Sequence, residues 1–122
     1  MNVTIAGMRP DGSISEQVIK AAKEASAVVL QTSLNGAVQQ DFSYDTLDSL
    51  YDQAEDFDTL VESACDFLQR DGLLFVALGD LAQNRIAGAL AQRVRATGGH
   101  VRVISGDSPA LGAALAAGLL DG

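Results

Sequence analysis

Short apolar runs alternate along the chain with segments in which apolar residues recur at helical spacing. The runs lie at Val3–Gly7, Ala27–Leu30, Leu73–Leu78 and Val101–Ile104. Ala27–Leu30 and Leu73–Leu78 are apolar throughout, which is typical of strands that are buried on both faces of a parallel sheet. We therefore expect the four runs to pair as parallel neighbours in one sheet.

Helices are predicted between and after these strands. They cover 14–25, Thr46–Gln53, Asp56–Arg70, Ala82–Thr97 and Ser108–Ala117. Ser13 and Glu16 have the spacing of a capping box, and Ser108 and Pro109 suit the N-cap and first position of a helix. Gln39–Tyr44 is compatible with a short edge strand.

The alternation of strands and helices predicts a single α/β domain over residues 1–122, with three layers around a mainly parallel sheet. In sheets of this kind, ligands bind at the carboxyl ends of the strands. Three loops are expected at that edge: Gly7–Gly12, Gly79–Gln83 and Ser105–Ser108.

Charge and cysteine content narrow the possible partners. The chain carries 8 basic and 16 acidic residues, a formal net charge of −8. An acidic surface repels both nucleic-acid phosphates and anionic lipid, so the charge argues against nucleic acid and membrane as partners. No apolar run approaches the roughly 20 residues of a membrane-spanning helix. Cys65 is the only cysteine, which indicates a reducing compartment, and we expect a cytoplasmic protein.

Three segments at the predicted strand ends resemble loops of the tetrapyrrole (corrin/porphyrin) methylases. Ile5–Gly12, with the sequence IAGMRPDG, looks like the glycine- and proline-rich first loop of that family. Leu78–Asp80 resembles its Gly-Asp-Pro loop, and Ile104–Ala110 resembles its Pro-Gly-x-Ser-Ser segment. A fourth segment, Leu47–Asp58, is similar to the methylase domains that are fused to MazG-type nucleotide pyrophosphohydrolases.

The resemblance implies S-adenosylmethionine as the cofactor and a fold of two α/β domains with the cofactor in the cleft between them. The chain would correspond to the N-terminal half, with the C-terminal half absent, and we expect it to be inactive alone. The implied partners are a small-molecule methyl acceptor in the full-length parent, a MazG-type domain and a second copy of the chain. The implied cofactor contacts are Pro10, Leu78, Gly79, Asp80, Gln83, Ser108 and Pro109.

Several positions differ from the family pattern. Arg9 replaces a glycine, Leu81 replaces the proline of Gly-Asp-Pro, and Ser105 replaces another proline. Thr32 stands where many members have a catalytic aspartate, and Gln31 where the MazG-fused relatives tend to show arginine, so no catalytic residue is assigned. Two hypotheses stay open. One is the cofactor-binding half of an S-adenosylmethionine-dependent methyltransferase, and the other is a degenerate, non-catalytic methylase-like module for binding or assembly, attached to a MazG-type pyrophosphohydrolase.

Asp80 and a group of acidic residues on the predicted helix Asp56–Arg70 and just before it each have two interpretations. Asp80 either caps a helix that begins near Ala82 or contacts a ligand, and both roles can hold at once. Glu55, Asp58 and Glu62 share part of a helical face, as the magnesium-binding carboxylates of MazG enzymes do, but no second acidic helix follows. We therefore favour a solvated face and predict no metal site.

Overall fold

The computed structural model describes residues 1–8, 14–31 and 42–104. The predicted helix Ser108–Ala117 lies outside these ranges. Five strands and four helices follow one another in chain order: β1 (Asn2–Gly7), α1 (Glu16–Glu24), β2 (Ala27–Leu30), β3 (Asp45–Thr46), α2 (Asp48–Gln53), α3 (Phe57–Leu68), β4 (Leu73–Ala77), α4 (Arg85–Ala96) and β5 (His100–Ile104).

The five strands form one sheet in the order β3-β2-β4-β1-β5, and every pairing is parallel. The prediction of four parallel neighbouring strands is therefore confirmed. Ile5 in β1 is opposite Phe75 in β4 on one side and Val103 in β5 on the other. All five residues of β4 are buried, which explains why this central strand has no polar alternation.

Helices cover both faces of the sheet, so the domain has three layers. On one face, Ile5, Val29 and Phe75 pack in a core cluster with residues of α3 and α4. On the other face, Leu74 and Val76 pack in a second cluster with residues of α1. Full burial of a large apolar side chain contributes about 1.5–3 kcal/mol, and both clusters contain several such side chains.

The three connections that run through α1, α3 and α4 have the same hand. The chain runs from β1 to β2 toward the β3 edge, with α1 on one face. It returns toward the β5 edge through α3 and again through α4, both on the opposite face. Because the chain reverses its direction across the sheet and its helices also change face, the crossovers keep the same hand. The rule for crossovers between parallel strands requires this.

The acidic residues of α3 pair with arginines of α4. Arg93 donates to Glu62 and to Asp66, each at 2.7 Å, and Arg85 donates to Asp58 at 2.8 Å. The hydrogen bond to Glu62 raises the pKa of the Arg93 guanidinium. The carboxylates are largely exposed, so these pairs hold the two helices in register while adding little stability individually.

Three local predictions were wrong in detail. The N-cap of α1 is Ser15, whose Oγ accepts from the Val18 amide at 3.3 Å, whereas the sequence pointed to Ser13, which lies outside the described residues. Of the predicted edge strand Gln39–Tyr44, residues 42–44 belong to no strand and residues 39–41 lie outside the described residues, while a strand next to β2 is formed by Asp45–Thr46. Helix α4 begins at Arg85, three residues later than the apolar periodicity suggested, because Ala82 lies in a preceding turn.

Candidate functional site

The carboxyl edge of the sheet has a point where neighbouring connections diverge. Strands β1 and β4 are adjacent, but the chain leaves β1 for α1 on one face and leaves β4 for α4 on the other. The Met8 amide continues the pairing by donating to the Ala77 carbonyl at 3.1 Å. Such divergence marks the usual position of a ligand crevice in parallel α/β domains.

Residues 78–84 form the loop beside this crevice, and we call this segment the β4 loop. Gly79 has a φ of +71°, a left-handed conformation that favours glycine. The Asp80 carboxylate accepts from the Ala82 amide at 3.0 Å, and the Asp80 carbonyl accepts from the Gln83 amide at 3.1 Å. These bonds fold the loop into a tight turn and leave Asp80 at the surface.

An open groove of about 350 Å³ lies against the β4 loop. Its walls are Gln31, Phe57, Leu78, Asp80, Gln83, Asn84, Arg85 and Ile86. It therefore sits between the carboxyl ends of β2 and β4 and the first residues of α3 and α4. Leu78, Asp80 and Gln83, which the sequence predicted as cofactor contacts, all line it.

The other predicted contacts do not line the groove within the described residues. Gly79 belongs to the β4 loop, beside the lining residues. Pro10, Ser108 and Pro109 lie outside the described residues.

Asp80 does not cap α4. Asn84 does, since its Oδ1 accepts from the Ala87 amide at 3.0 Å.

Two amide side chains that the sequence did not single out as contacts hold the β4 loop. Gln31 Oε1 accepts from the Leu78 amide and from Asn84 Nδ2, both at 2.8 Å. Asn84 Nδ2 also donates to the Leu78 carbonyl at 3.0 Å, and Gln31 Nε2 donates to the Tyr51 hydroxyl at 3.0 Å. The only local signal for Gln31 is its place as the first polar residue after a buried strand.

One wall of the groove is apolar and partly exposed. Phe57 has 47% of its surface exposed, and Leu78 has 40%. The Arg85 guanidinium lies 4.7 Å from the centre of the Phe57 ring and is also paired with Asp58. Arg85 is thus held by a ring and a carboxylate, and this leaves Asp80 as the lining carboxylate without a basic partner in the described part of the chain.

The described walls of the groove carry amide, carboxylate, guanidinium and apolar side chains. Its described walls contain no serine, cysteine or histidine that could act as a nucleophile. Cys65 is buried in the α3 face, where burial raises the pKa of its thiol. Across residues 1–8, 14–31 and 42–104, no group of three or more His, Cys, Asp or Glu could hold a metal ion.

No protein-family model, curated protein or solved structure matches the chain. Within the described ranges, no helix is both long enough and apolar enough to cross a membrane. The fold and the groove together define the class of this chain: a parallel three-layer α/β domain with an open groove at the carboxyl edge of its sheet.

Proposed function

We propose that this chain is the cofactor-binding half of an S-adenosylmethionine-dependent methyltransferase of the tetrapyrrole methylase type. One observation carries the proposal. Leu78, Asp80 and Gln83, which resemblance alone selected, line a single groove at the sheet edge where parallel α/β domains bind ligands.

The groove offers partners for the ribose or ammonium group of the cofactor and for its adenine. The Asp80 carboxylate accepts hydrogen bonds from ribose hydroxyls or from the ammonium group. Phe57 and Leu78 provide exposed apolar surface for the planar adenine. When bound, S-adenosylmethionine would supply the methyl group for transfer to the acceptor, and Asp80, Phe57 and Leu78 would hold it in the groove. This chain contributes binding and orientation to that reaction.

Binding to the chain alone is expected to be weak. Small-molecule sites normally enclose most of the ligand surface, whereas this groove is open. We expect a dissociation constant on the order of 1 mM, and no methyl transfer by the chain alone.

Isothermal titration at millimolar S-adenosylmethionine tests the proposal. Asp80→Ala is expected to weaken binding several-fold, because it removes the unpaired carboxylate. Glu24→Ala is the matched control, since Glu24 is an exposed carboxylate at the end of α1, away from the groove. Asp58→Ala is a poor control because Asp58 holds Arg85. Absence of heat at millimolar ligand, or an equal loss in both variants, would contradict the proposal.

A second candidate is a non-catalytic module for assembly with a MazG-type pyrophosphohydrolase domain or with a second copy. This candidate is favoured by the contacts of Leu78. Its backbone N–H and C=O both form hydrogen bonds within the chain, while its side chain is exposed. Light scattering at high micromolar concentration tests the second-copy form. A dimer whose mass falls to that of a monomer in Phe57→Asp supports assembly through this wall, and a monomeric wild type contradicts it.

A further inference from the structure

Gln31 connects three parts of the carboxyl edge through one side chain. Its backbone amide donates to the Val76 carbonyl at 2.9 Å, which fixes its main chain against β4. Its side-chain oxygen accepts from Leu78 and Asn84, the first and last residues of the β4 loop. Its side-chain nitrogen donates to Tyr51 in α2. The side-chain amide thus uses both its oxygen and its nitrogen in contacts within the domain.

Asn84 holds the far end of the loop. We call the hydrogen bonds that Gln31 and Asn84 make to the β4 loop the clamp. Its Nδ2 donates to Gln31 Oε1 and to the Leu78 carbonyl, while its Oδ1 caps α4. Both ends of the β4 loop are therefore tied to the same oxygen of Gln31. Between these ends, Gly79 has no atom within 4 Å of the position a Cβ would take, so the neighbouring structure does not restrain it.

We propose that Gln31 is the positioning residue of the groove: it holds the β4 loop in the conformation that presents Asp80 and Gln83 to a ligand. The proposal rests on the proposed function for the identity of that ligand, but the positioning itself can be measured without one.

The clamp also determines which chemical groups a ligand must carry. Because the Leu78 N–H donates to Gln31 and the Leu78 C=O already accepts from Asn84, the backbone of Leu78 offers a ligand no donor and one remaining lone pair. Recognition then falls to the Asp80 carboxylate, the Gln83 amide and the apolar wall. The fitting ligand carries a hydroxyl or ammonium donor beside an apolar or planar part.

Gln31→Met tests the positioning role, because methionine has a similar length but no amide. We expect amide hydrogen exchange at Leu78 to speed up at least about fivefold, since the variant removes a hydrogen bond of typical strength. Exchange at Val76, inside β4, is expected to stay unchanged. Gln31→Glu keeps an acceptor for Leu78 and Asn84 and is expected to restore slow exchange.

Gln69→Met is the matched control. The Gln69 side chain likewise bonds to the backbone, as a donor to the Cys65 carbonyl, but it lies after α3, away from the β4 loop. We expect this variant to leave Leu78 exchange unchanged. Unchanged exchange at Leu78 in Gln31→Met would overturn the proposal, whatever the ligand.

Titration of the same variants with S-adenosylmethionine separates positioning from obstruction. If Gln31 positions the loop, Gln31→Met binds several-fold more weakly than the wild type, and Gln31→Glu binds like the wild type. If Gln31 instead occupies the ligand's place, Gln31→Met binds more tightly, and the proposal is wrong. A wild type that does not bind at all contradicts the proposed function, while the exchange result still decides the role of Gln31.

Discussion

Leu81 packs over Gly7, so that the β4 loop is anchored on the end of β1. A Cβ atom at Gly7 would lie 3.4 Å from Leu81 Cγ, which is van der Waals contact, and Leu81 is only 1% exposed. The sequence marked Leu81 as a departure from a family proline. In the structure it is a core residue that joins the two adjacent strand ends where the connections diverge.

Leu81→Ala is therefore expected to lower the free energy of unfolding by about 2–5 kcal/mol, the range for deletion of a buried leucine side chain. Leu78→Ala is the control in the same loop, and because Leu78 is 40% exposed its cost is expected to stay within about 0.5 kcal/mol. Urea denaturation of both variants provides the comparison. Similar losses in the two variants would contradict the anchoring role.

Asn84 has two separable roles, and two variants distinguish them. Asn84→Ala removes both the cap of α4 and the bond to the Leu78 carbonyl, so we expect a loss of about 1–2 kcal/mol and faster amide exchange at Ala87. Asn84→Asp keeps an acceptor for Ala87 but loses the donors to Leu78 and Gln31. Its Ala87 amide is expected to stay protected. Loss of Ala87 protection in Asn84→Asp would show that the cap depends on the clamp.

Two glycines with left-handed backbone differ in their surroundings. Gly79→Ala adds a methyl group into open space, so its cost is that of the backbone alone, about 1–2 kcal/mol. Gly72→Ala has the same backbone cost, with φ at +79°, and would also place its Cβ 2.8 Å from Ser26 Oγ. That hydroxyl is held by a bond to the Asp71 carbonyl at 2.7 Å. We expect Gly72→Ala to be clearly less stable in urea than Gly79→Ala, and equal losses would contradict this account.

The N-cap of α3 makes stability depend on pH at acidic values. The Thr59 amide donates to the Asp56 carboxylate at 2.7 Å, and this bond lowers the pKa of Asp56 below its ordinary value of 3.8. A lowered folded-state pKa stabilises the fold above 3.8, and this contribution is lost as the pH falls through the folded-state value.

Thermal melts of Asp56→Asn against the wild type measure this effect. Asparagine keeps the capping oxygen without a titrating charge, so the advantage of the wild type is expected to be largest near neutral pH. It is expected to shrink as the pH falls below 3.8. A difference in melting temperature that stays constant down to the most acidic pH would show that the carboxylate charge does not matter.

The central strands of the sheet could be predicted because burial on both faces requires an unbroken run of apolar residues, which is visible in the sequence. Every residue of β4 is apolar and buried, and such a run can be recognised in the sequence without knowledge of the neighbouring strands. The edge strand Asp45–Thr46 has no such apolar run, because its two residues pair only with Val29 and Leu30 at the edge of the sheet. Its position follows from the partner strand rather than from its own residues.

Helix starts and the clamp were harder to predict because they depend on distant contacts. Asp80 and Asn84 are both good capping residues, and the choice between them follows from the burial of Leu81, which holds 81–83 in a turn before α4. Gln31 and Leu78 are 47 positions apart, and no local pattern joins them. The site residues Leu78, Asp80 and Gln83 came from resemblance alone, and their place in one groove comes from the structure.

A map of the backbone amides that respond to S-adenosylmethionine tests the central proposal most directly. In proton–nitrogen correlation spectra of the whole chain, recorded as the cofactor is added to saturation, the largest shifts are predicted for Gln31 and residues 78–84. Amides at the opposite edge of the sheet, at Gln69–Gly72, are predicted not to move. Saturable shifts concentrated on the β4 loop would support the groove as the cofactor site, and an unresponsive β4 loop at saturating cofactor would contradict it.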